Sequence, residues 1–143
     1  MKIREIMTPS PAFATPETGL RDVARMMAEN DCGAIPVMGD GATRALGIVT
    51  DRDIAIRAVA NGKNPLDLKA SDVMSGPAVT VKSDETVENA TALMGDRQVR
   101  RLIVLDARGV TCGIVSQADV AQHAGKRETA KLVQEVSAPA GVR

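Results

Sequence analysis

The sequence predicts a mixed α/β (α+β) fold built from two β-α-β-β-α repeats that pack as a pseudo-twofold pair. The first observation is an internal repeat: Ile6-Met7-Thr8 returns as Val73-Met74-Ser75, an offset of 74 − 7 = 67 positions. The second is that segments with helical and with strand periodicity follow one another in the same order in both copies. The third is size, because a copy of roughly 60 residues is too short to bury a good core alone.

Each copy is expected to open with an extended segment that leads into an amphipathic helix. The extended segments lie near residues 12–15 and 79–82, and the helices run to residues 30 and 97. Glu17 in one copy, and Asp84 with Glu85 in the other, place acidic charge in the first helical turn, as the helix dipole favours. The apolar stripes with i, i+3, i+4, i+7 spacing are Leu20, Val23, Ala24 and Met27, repeated as Val87, Ala90, Thr91 and Met94.

Two apolar strands and a second helix complete each copy. Turn-forming residues separate the two strands, as a hairpin requires, and the second helices begin at Asp51 and Gln117. The strands are expected at residues 34–38 and 45–49, with a turn at 39–41, and again at 101–105 and 111–115, with a turn at 106–109.

A turn-rich segment at residues 61–65 separates the copies. The predicted boundaries are therefore repeat one with its N-terminal segment at 1–64, repeat two at 65–124, and a C-terminal helix and tail at 125–143.

The composition argues against several classes of function. The 18 Lys and Arg residues balance 18 Asp and Glu residues, and Phe13 is the only aromatic residue, so a nucleic-acid binder that uses a basic surplus and base-stacking rings is not expected. Cys32 and Cys112 are isolated, which argues against a cysteine zinc site and favours two reduced, buried thiols. No apolar run suits a membrane span or a signal peptide, and a cytoplasmic location is expected.

The sharpest motif is Gly-Ile-Val-Thr-Asp-Arg-Asp at 47–53, which recurs as Gly-Ile-Val-Ser-Gln-Ala-Asp at 113–119. Free N–H groups where a helix begins suit a phosphate, and the preceding hydroxyl can add a donor. An Asp three residues later can accept both hydroxyls of a ribose. The same Thr/Ser-x-x-Asp spacing is also a helix-capping box, and the glycine could mark a bulge or close packing. Both interpretations of the motif stay open at this point.

Together the repeated pieces resemble a tandem pair of cystathionine-β-synthase (CBS) domains, or Bateman module, of the stand-alone kind, from Ile3 to about Ala124. The resemblance implies that Thr50 and Asp53, and Ser116 and Asp119, bind the phosphate and ribose of an adenosine ligand. It further implies that adenine lies between strands, and the binding set extends to Thr8, Ala12, Pro36, Ser75, Val79 and Ile103. The pieces that carry the resemblance are residues 6–8, 33–37, 47–53, 73–75, 100–104 and 113–119.

The two copies differ in ways that make their clefts unequal. Ile103 stands where this family often has proline, as Pro36 is here, and Gln117-Ala118 replaces Asp51-Arg52. The Asp51 carboxylate would oppose a phosphate by like-charge repulsion, which Arg52 could offset. Among four arginines near the second motif, Arg101 is the best candidate to pair with a ligand phosphate, the alternative being a solvated surface face. The other three are Arg97, Arg100 and Arg108.

The expected function is that of a non-catalytic regulatory or signalling module. It would bind AMP, ADP or ATP in the cleft between the repeats and change its conformation or its contacts with an unknown effector protein. It would need no cofactor and no metal, would form a homodimer, and would use neither nucleic acid nor membrane. His123, the only histidine, is expected on the surface. One alternative is a ligand-free dimerisation or interaction module in which the Thr/Ser-x-x-Asp motifs are only caps. The other is a nucleic-acid-linked regulator that uses the arginine cluster.

Overall fold

The structure, a computed structural model, describes residues 1–39, 41, 44–123 and 134. It contains the two expected hairpins and the helix before each of them, together with short elements that were not expected. The strands are β1 (Thr8–Pro9), β2 (Ala34–Gly39), β3 (Arg44–Thr50), β4 (Thr80–Lys82), β5 (Arg101–Leu105) and β6 (Thr111–Ser116). The helices are α1 (Leu20–Asn30), α2 (Asp51–Asp53), α3 (Ala70–Val73), α4 (Val87–Arg97) and α5 (Gln117–His123), with a π-helix at Ile54–Val59 and 3₁₀ turns at Ile3–Glu5 and Pro65–Asp67.

The chain forms two compact units whose bounds differ from those of the sequence repeats. One unit is Pro11–Ala78, and the other joins Met1–Ser10 to the chain from Val79. The reason is a reciprocal exchange of apolar side chains. Ile3 and Ile6 are buried in the core of the second repeat, and Ala70 and Val73 are buried in that of the first. The predicted bounds at 1–64 and 65–124 follow the sequence repeat alone, whereas each core takes a segment from both copies.

The sheets follow the same topology in both units. In one, β1, β6, β5 and β4 lie side by side in that order, with β4 parallel to β5 and the other neighbours antiparallel. In the other, β2 and β3 form the antiparallel hairpin, and single bridges replace the outer strands: Ala14 pairs with Val37, and Ser75 pairs with Ile48. The expected extended segment at 79–82 is therefore a strand at Thr80–Lys82, while the one at 12–15 makes one bridge. Sequence patterning missed the two-residue strand β1.

The two long helices bury the faces that their apolar spacing predicts, with one exception. Val87, Ala90, Thr91 and Met94 of α4 are all buried, as are Leu20, Val23 and Met27 of α1. Ala24 of α1 is exposed, so the buried stripe of that helix is narrower than expected. Each helix ends at a residue with left-handed backbone conformation, Asp31 (φ 48°) and Gln98 (φ 53°).

Some expectations fall outside the described residues. They are Asp40 in the first hairpin turn and the C-terminal helix and tail at 125–143, of which only Gln134 is described. Within the described ranges, every helix is too short or too polar to cross a lipid bilayer.

Candidate functional site

The glycine of the first motif lets another segment of backbone cross its strand. Ser75 and Ile48 exchange two backbone hydrogen bonds of 2.9 Å. A Cβ atom added to Gly47 would lie 2.5 Å from the Ser75 carbonyl oxygen, so any other residue there would push the two backbones apart. Close packing therefore applies to this glycine, and a bulge lies beside it, because the pairing with β2 shifts register between Gly47 and Ala45. The close packing brings Ser75 to the strand that ends at Thr50.

The second motif repeats this crossing in the other unit. Thr8 pairs with Ile114, and a Cβ atom added to Gly113 would lie 3.0 Å from the Thr8 carbonyl oxygen and would overlap the sulfur of Met7. Each candidate site consequently contains a segment from the opposite repeat of the sequence. Thr8 of the first copy lies at the second motif, and Ser75 of the second copy lies at the first.

Both Thr/Ser-x-x-Asp motifs form complete capping boxes. The Asp53 N–H donates to Thr50 Oγ1 (3.1 Å), and the Thr50 N–H donates to Asp53 Oδ2 (2.9 Å). Ser116 and Asp119 form the same pair of bonds, at 3.1 and 2.8 Å. The cap occupies only Oδ2 of each carboxylate. Because an ionised carboxylate can accept several hydrogen bonds, capping leaves Oδ1 able to meet another group.

Asp53 Oδ1 already has two protein partners. The Ser75 hydroxyl donates to it at 3.3 Å, and Arg57 Nε lies 3.8 Å from it. Nη1 of Arg57 also donates to the carbonyl oxygens of Val73 (3.3 Å) and Met74 (3.1 Å). Sequence analysis missed Arg57, although its i, i+4 spacing from Asp53 on a helix is a recognised ion-pair signal.

Asp119 has simpler surroundings. Its carboxylate has no partner beyond the cap among the residues that the structure describes. The position equivalent to Arg57 is His123 (57 + 66 = 123), an exposed residue, as expected, whose Nδ1 lies 3.1 Å from the Asp119 carbonyl oxygen. Arg101 is the cross-strand partner of Ser116 and is partly buried, and within the described ranges its guanidinium makes no ion pair. A cationic side chain thus lies beside the second motif.

Most of the remaining predicted residues pair with the motif strands β3 and β6, or with the strands next to them. Pro36 pairs with Ile48, and its carbonyl accepts from Ala14 N–H at 2.9 Å; Ala12 lies two residues before this contact and packs on the same core. Ile103 pairs with Ile114, and its N–H donates to the Val79 carbonyl at 3.0 Å. Pro36 and Ile103 are both buried.

Arg52 and Asp51, two charged residues of the first motif, have different neighbours. Arg52 is exposed, and within the described ranges its side chain has no partner. Asp51 donates its N–H to the Gly33 carbonyl at 3.0 Å, and a Cβ atom on Gly33 would lie 2.9 Å from its carboxylate. The equivalent of Gly33 in the second copy is Arg100 (33 + 67 = 100). The two motifs therefore differ in local charge.

The cysteines differ from the expectation of two buried thiols. Cys32 is exposed and Cys112 is partly buried. Burial raises the pKa of the Cys112 thiol, and the nearby Asp106 carboxylate acts in the same direction. In the described part of the chain, no group of three or more His, Cys, Asp or Glu side chains is arranged to hold a metal ion.

Comparison with known proteins finds sequence relatives that match most of this chain. It is 34% identical over 128 residues to CBS domain-containing protein YhcV of Bacillus subtilis, covering 90% of this chain and 89% of that protein. It is 37% identical over 119 residues to protein MK0525 of Methanopyrus kandleri, where the match covers 83% of this chain and 58% of the length of the relative.

Solved structures share the fold. Hypoxic response protein I, crystallised with two coordinated zinc ions and known from Mycobacterium tuberculosis, matches with a TM-score of 0.75 and 31% identity over 87% of this chain and 100% of that one. CBSX2, crystallised in complex with AMP, matches with a TM-score of 0.70 and 25% identity over 86% of this chain and 95% of that one. The CBS domain family model matches twice, at residues 3–59 and 70–126. The chain therefore belongs to the CBS domain family and contains a pair of CBS domains.

Proposed function

We propose that this protein is a non-catalytic regulatory module that binds an adenine nucleotide, AMP, ADP or ATP, at one or both of its two motifs. The observation that carries the proposal is the 3.3 Å contact between the Ser75 hydroxyl and Asp53 Oδ1. It joins the acid of the first repeat to a segment of the second, at the place where a ribose hydroxyl would bind. The AMP complex of CBSX2, a relative of the same fold, supports this choice of ligand.

Each residue of the candidate sites has a chemical role in this proposal. Asp53 and Asp119 accept the ribose hydroxyls, while Thr50 and Ser116 donate to phosphate. The paired strand residues flank the adenine. Their packing takes the place of aromatic stacking, because the chain has one aromatic residue. Arg101 and Arg52 pair with phosphate oxygens. The flanking residues are Ala12, Pro36 and Ser75 in one site and Thr8, Val79 and Ile103 in the other.

Ligand binding would couple to conformation because each site contains segments from both repeats. A nucleotide that contacts Asp53 also meets the segment at Ser75, so occupancy changes the contacts between that segment and the motif strand. The ligand can shift a conformational equilibrium only by its difference in affinity for the two states. We propose that the altered state is read by an effector protein, and that the chain acts in the cytoplasm as a homodimer.

Thermal unfolding with adenosine, AMP, ADP and ATP tests this function. A ligand present at 100 times its Kd stabilises the native state by about 2.7 kcal/mol, so at least one should raise the Tm by several degrees. Asp53→Asn combined with Asp119→Asn should abolish this rise. The matched control is Asp106→Asn in the turn between β5 and β6, at the opposite end of this hairpin from Ser116, where the Asp106 carboxylate accepts from the N–H groups of Arg108 (2.8 Å) and Val110 (3.0 Å). If no compound raises the Tm at millimolar concentration, the proposal fails.

The complete capping boxes favour a second candidate, a ligand-free interaction module. In that case Asp53→Asn should lower stability through its cap and its contacts with Ser75 and Arg57, and it should alter no response to nucleotides. The function would then lie in dimerisation or in binding a partner protein. The panel of ligands above separates the two candidates.

A further inference from the structure

The two ribose-binding candidates, Asp53 and Asp119, are unequally available. Asp53 is capped through Oδ2 and contacted through Oδ1 by Ser75 and Arg57, and its side chain is 13% exposed. Asp119 is capped in the same way, but its Oδ1 has no partner among the described residues. A diol approaching Asp119 meets an oxygen that no described residue contacts, whereas a diol approaching Asp53 must replace protein groups.

Two groups make this difference, Ser75 and Arg57, and Arg57 is the charged one. It is on the helix that follows the capping box, contacts Asp53 Oδ1, and donates to the carbonyls of Val73 and Met74. It thus ties the acid of the motif to the segment that carries Ser75. The equivalent side chain, His123, has its Nδ1 3.1 Å from the backbone carbonyl oxygen of Asp119, and among the described residues it makes no bond to the carboxylate.

We propose that Arg57 gates the first site, so that a ligand fills the Asp119 site first, and occupancy of the Asp53 site releases the Arg57 contacts with Val73 and Met74. This inference rests on the proposed function, because it concerns the order and regulation of the same sites. The ribose hydroxyls take over Asp53 Oδ1, and the guanidinium turns to solvent or to a ligand phosphate.

The geometry makes Arg57 a gate and not a permanent block. Its side chain is 50% exposed, and its closest approach to Asp53 is 3.8 Å, longer than an ideal charge-assisted hydrogen bond. Partly exposed ion pairs are weak. We expect the gate to lower affinity at the Asp53 site by about tenfold, which is about 1.4 kcal/mol.

Calorimetric titration with adenosine tests the gate, because adenosine has the diol but no phosphate to interact with the arginine charge. In an Asp119→Asn chain, only the Asp53 site remains, and adding Arg57→Gln should tighten adenosine binding about tenfold. Adding Arg25→Gln, an exposed arginine of α1 without side-chain partners in the described residues, should change nothing. With 2′-deoxyadenosine, which lacks one hydroxyl of the diol, Arg57→Gln should have little effect. A general structural change would alter binding of both nucleosides alike.

The order of filling gives a second measurement. The Asp53→Asn chain, which keeps the Asp119 site, should bind adenosine more tightly than the Asp119→Asn chain. Ser75→Ala removes the other partner of Asp53 Oδ1 and should act in the same direction as Arg57→Gln, so it decides the matter if the arginine variant does not fold. Equal affinities of the single variants, with Arg57→Gln and Ser75→Ala both silent, would overturn the gate while leaving nucleotide binding intact. No binding of any adenosine compound to the unaltered chain would overturn both.

Discussion

Asp53 shows how one side chain can serve stability and binding together. Its Oδ2 closes the cap with Thr50, while its Oδ1 faces Ser75 and Arg57. A change at this residue therefore removes a structural contact and a candidate ligand contact at once. The conservative change to Asn keeps the size and part of the capping ability, which is why it is preferred to Ala in the experiments above.

Gly47 provides a prediction at the same scale. Gly47→Ala should lower the free energy of unfolding by about 1–3 kcal/mol, because the new Cβ would lie 2.5 Å from the backbone oxygen of Ser75, which cannot rotate away. Gly39→Ala is the control, since its Cβ would meet only the end of the flexible Leu46 side chain, at 3.1 Å. Urea unfolding measures both. Similar small losses in the two variants would show that the Ser75 crossing is not tightly packed.

At the scale of elements, α1 and α4 are related by the repeat but begin differently. The Thr86 hydroxyl caps α4 by accepting from Asn89 N–H at 3.1 Å, whereas Gly19 begins α1 without a side-chain cap. Their shared placement on the sheet comes from the buried stripes and not from the caps. Caps adjust helix stability without deciding the topology.

The difference between the helices predicts the effect of losing a cap. Thr86→Ala should destabilise the protein by about 1 kcal/mol, the usual cost of removing a helix N-cap hydroxyl. Asp96→Ala, an exposed position near the other end of α4 with no side-chain partner in the described ranges, should be neutral or slightly stabilising, because an acidic charge near a helix C-terminus is unfavourable. Chemical denaturation compares them. Equal midpoints would show that the Thr86 bond adds nothing measurable.

At the scale of the whole molecule, the central feature is that each core draws a segment from the other repeat. Ile3 and Ile6 lie with Val81, Leu102 and Val115 in one core. The N-terminal segment is therefore a part of the unit that begins again at Val79. A destabilising substitution in the N-terminal segment should therefore destabilise residues after Val79, far away in the sequence.

Hydrogen exchange can test this arrangement. Ile3→Ala should cost about 2–5 kcal/mol, because Ile3 is fully buried, and should reduce amide protection mainly from Val79 to His123. Met1→Ala, at a side chain that is 61% exposed, is the control. If protection is lost within residues 11–64 instead, the N-terminal segment belongs with its own repeat and the compact units are incorrectly divided.

Local patterning determined much of this protein. The strand and helix periods and the Thr/Ser-x-x-Asp spacing are local, and they predicted the C-terminal ends of α1 and α4, the bounds of β5 and the two capping boxes. Those signals depend on residues a few positions apart, where backbone geometry restricts the alternatives. The expected helix starts were wrong: α1 and α4 begin at Leu20 and Val87, after the acidic residues expected in their first turns (Glu17, Asp84 and Glu85).

Only the tertiary structure decided which segments meet. The crossing of Ser75 over Gly47, the exchange of Ile3 and Val73 between cores, and the contact of Arg57 with Met74 join residues far apart in the sequence. A capping box and a candidate ribose site have the same residue spacing, so spacing could not tell them apart. What distinguishes the two acids is the side chain that reaches Oδ1, and that depends on long-range packing which no local pattern records.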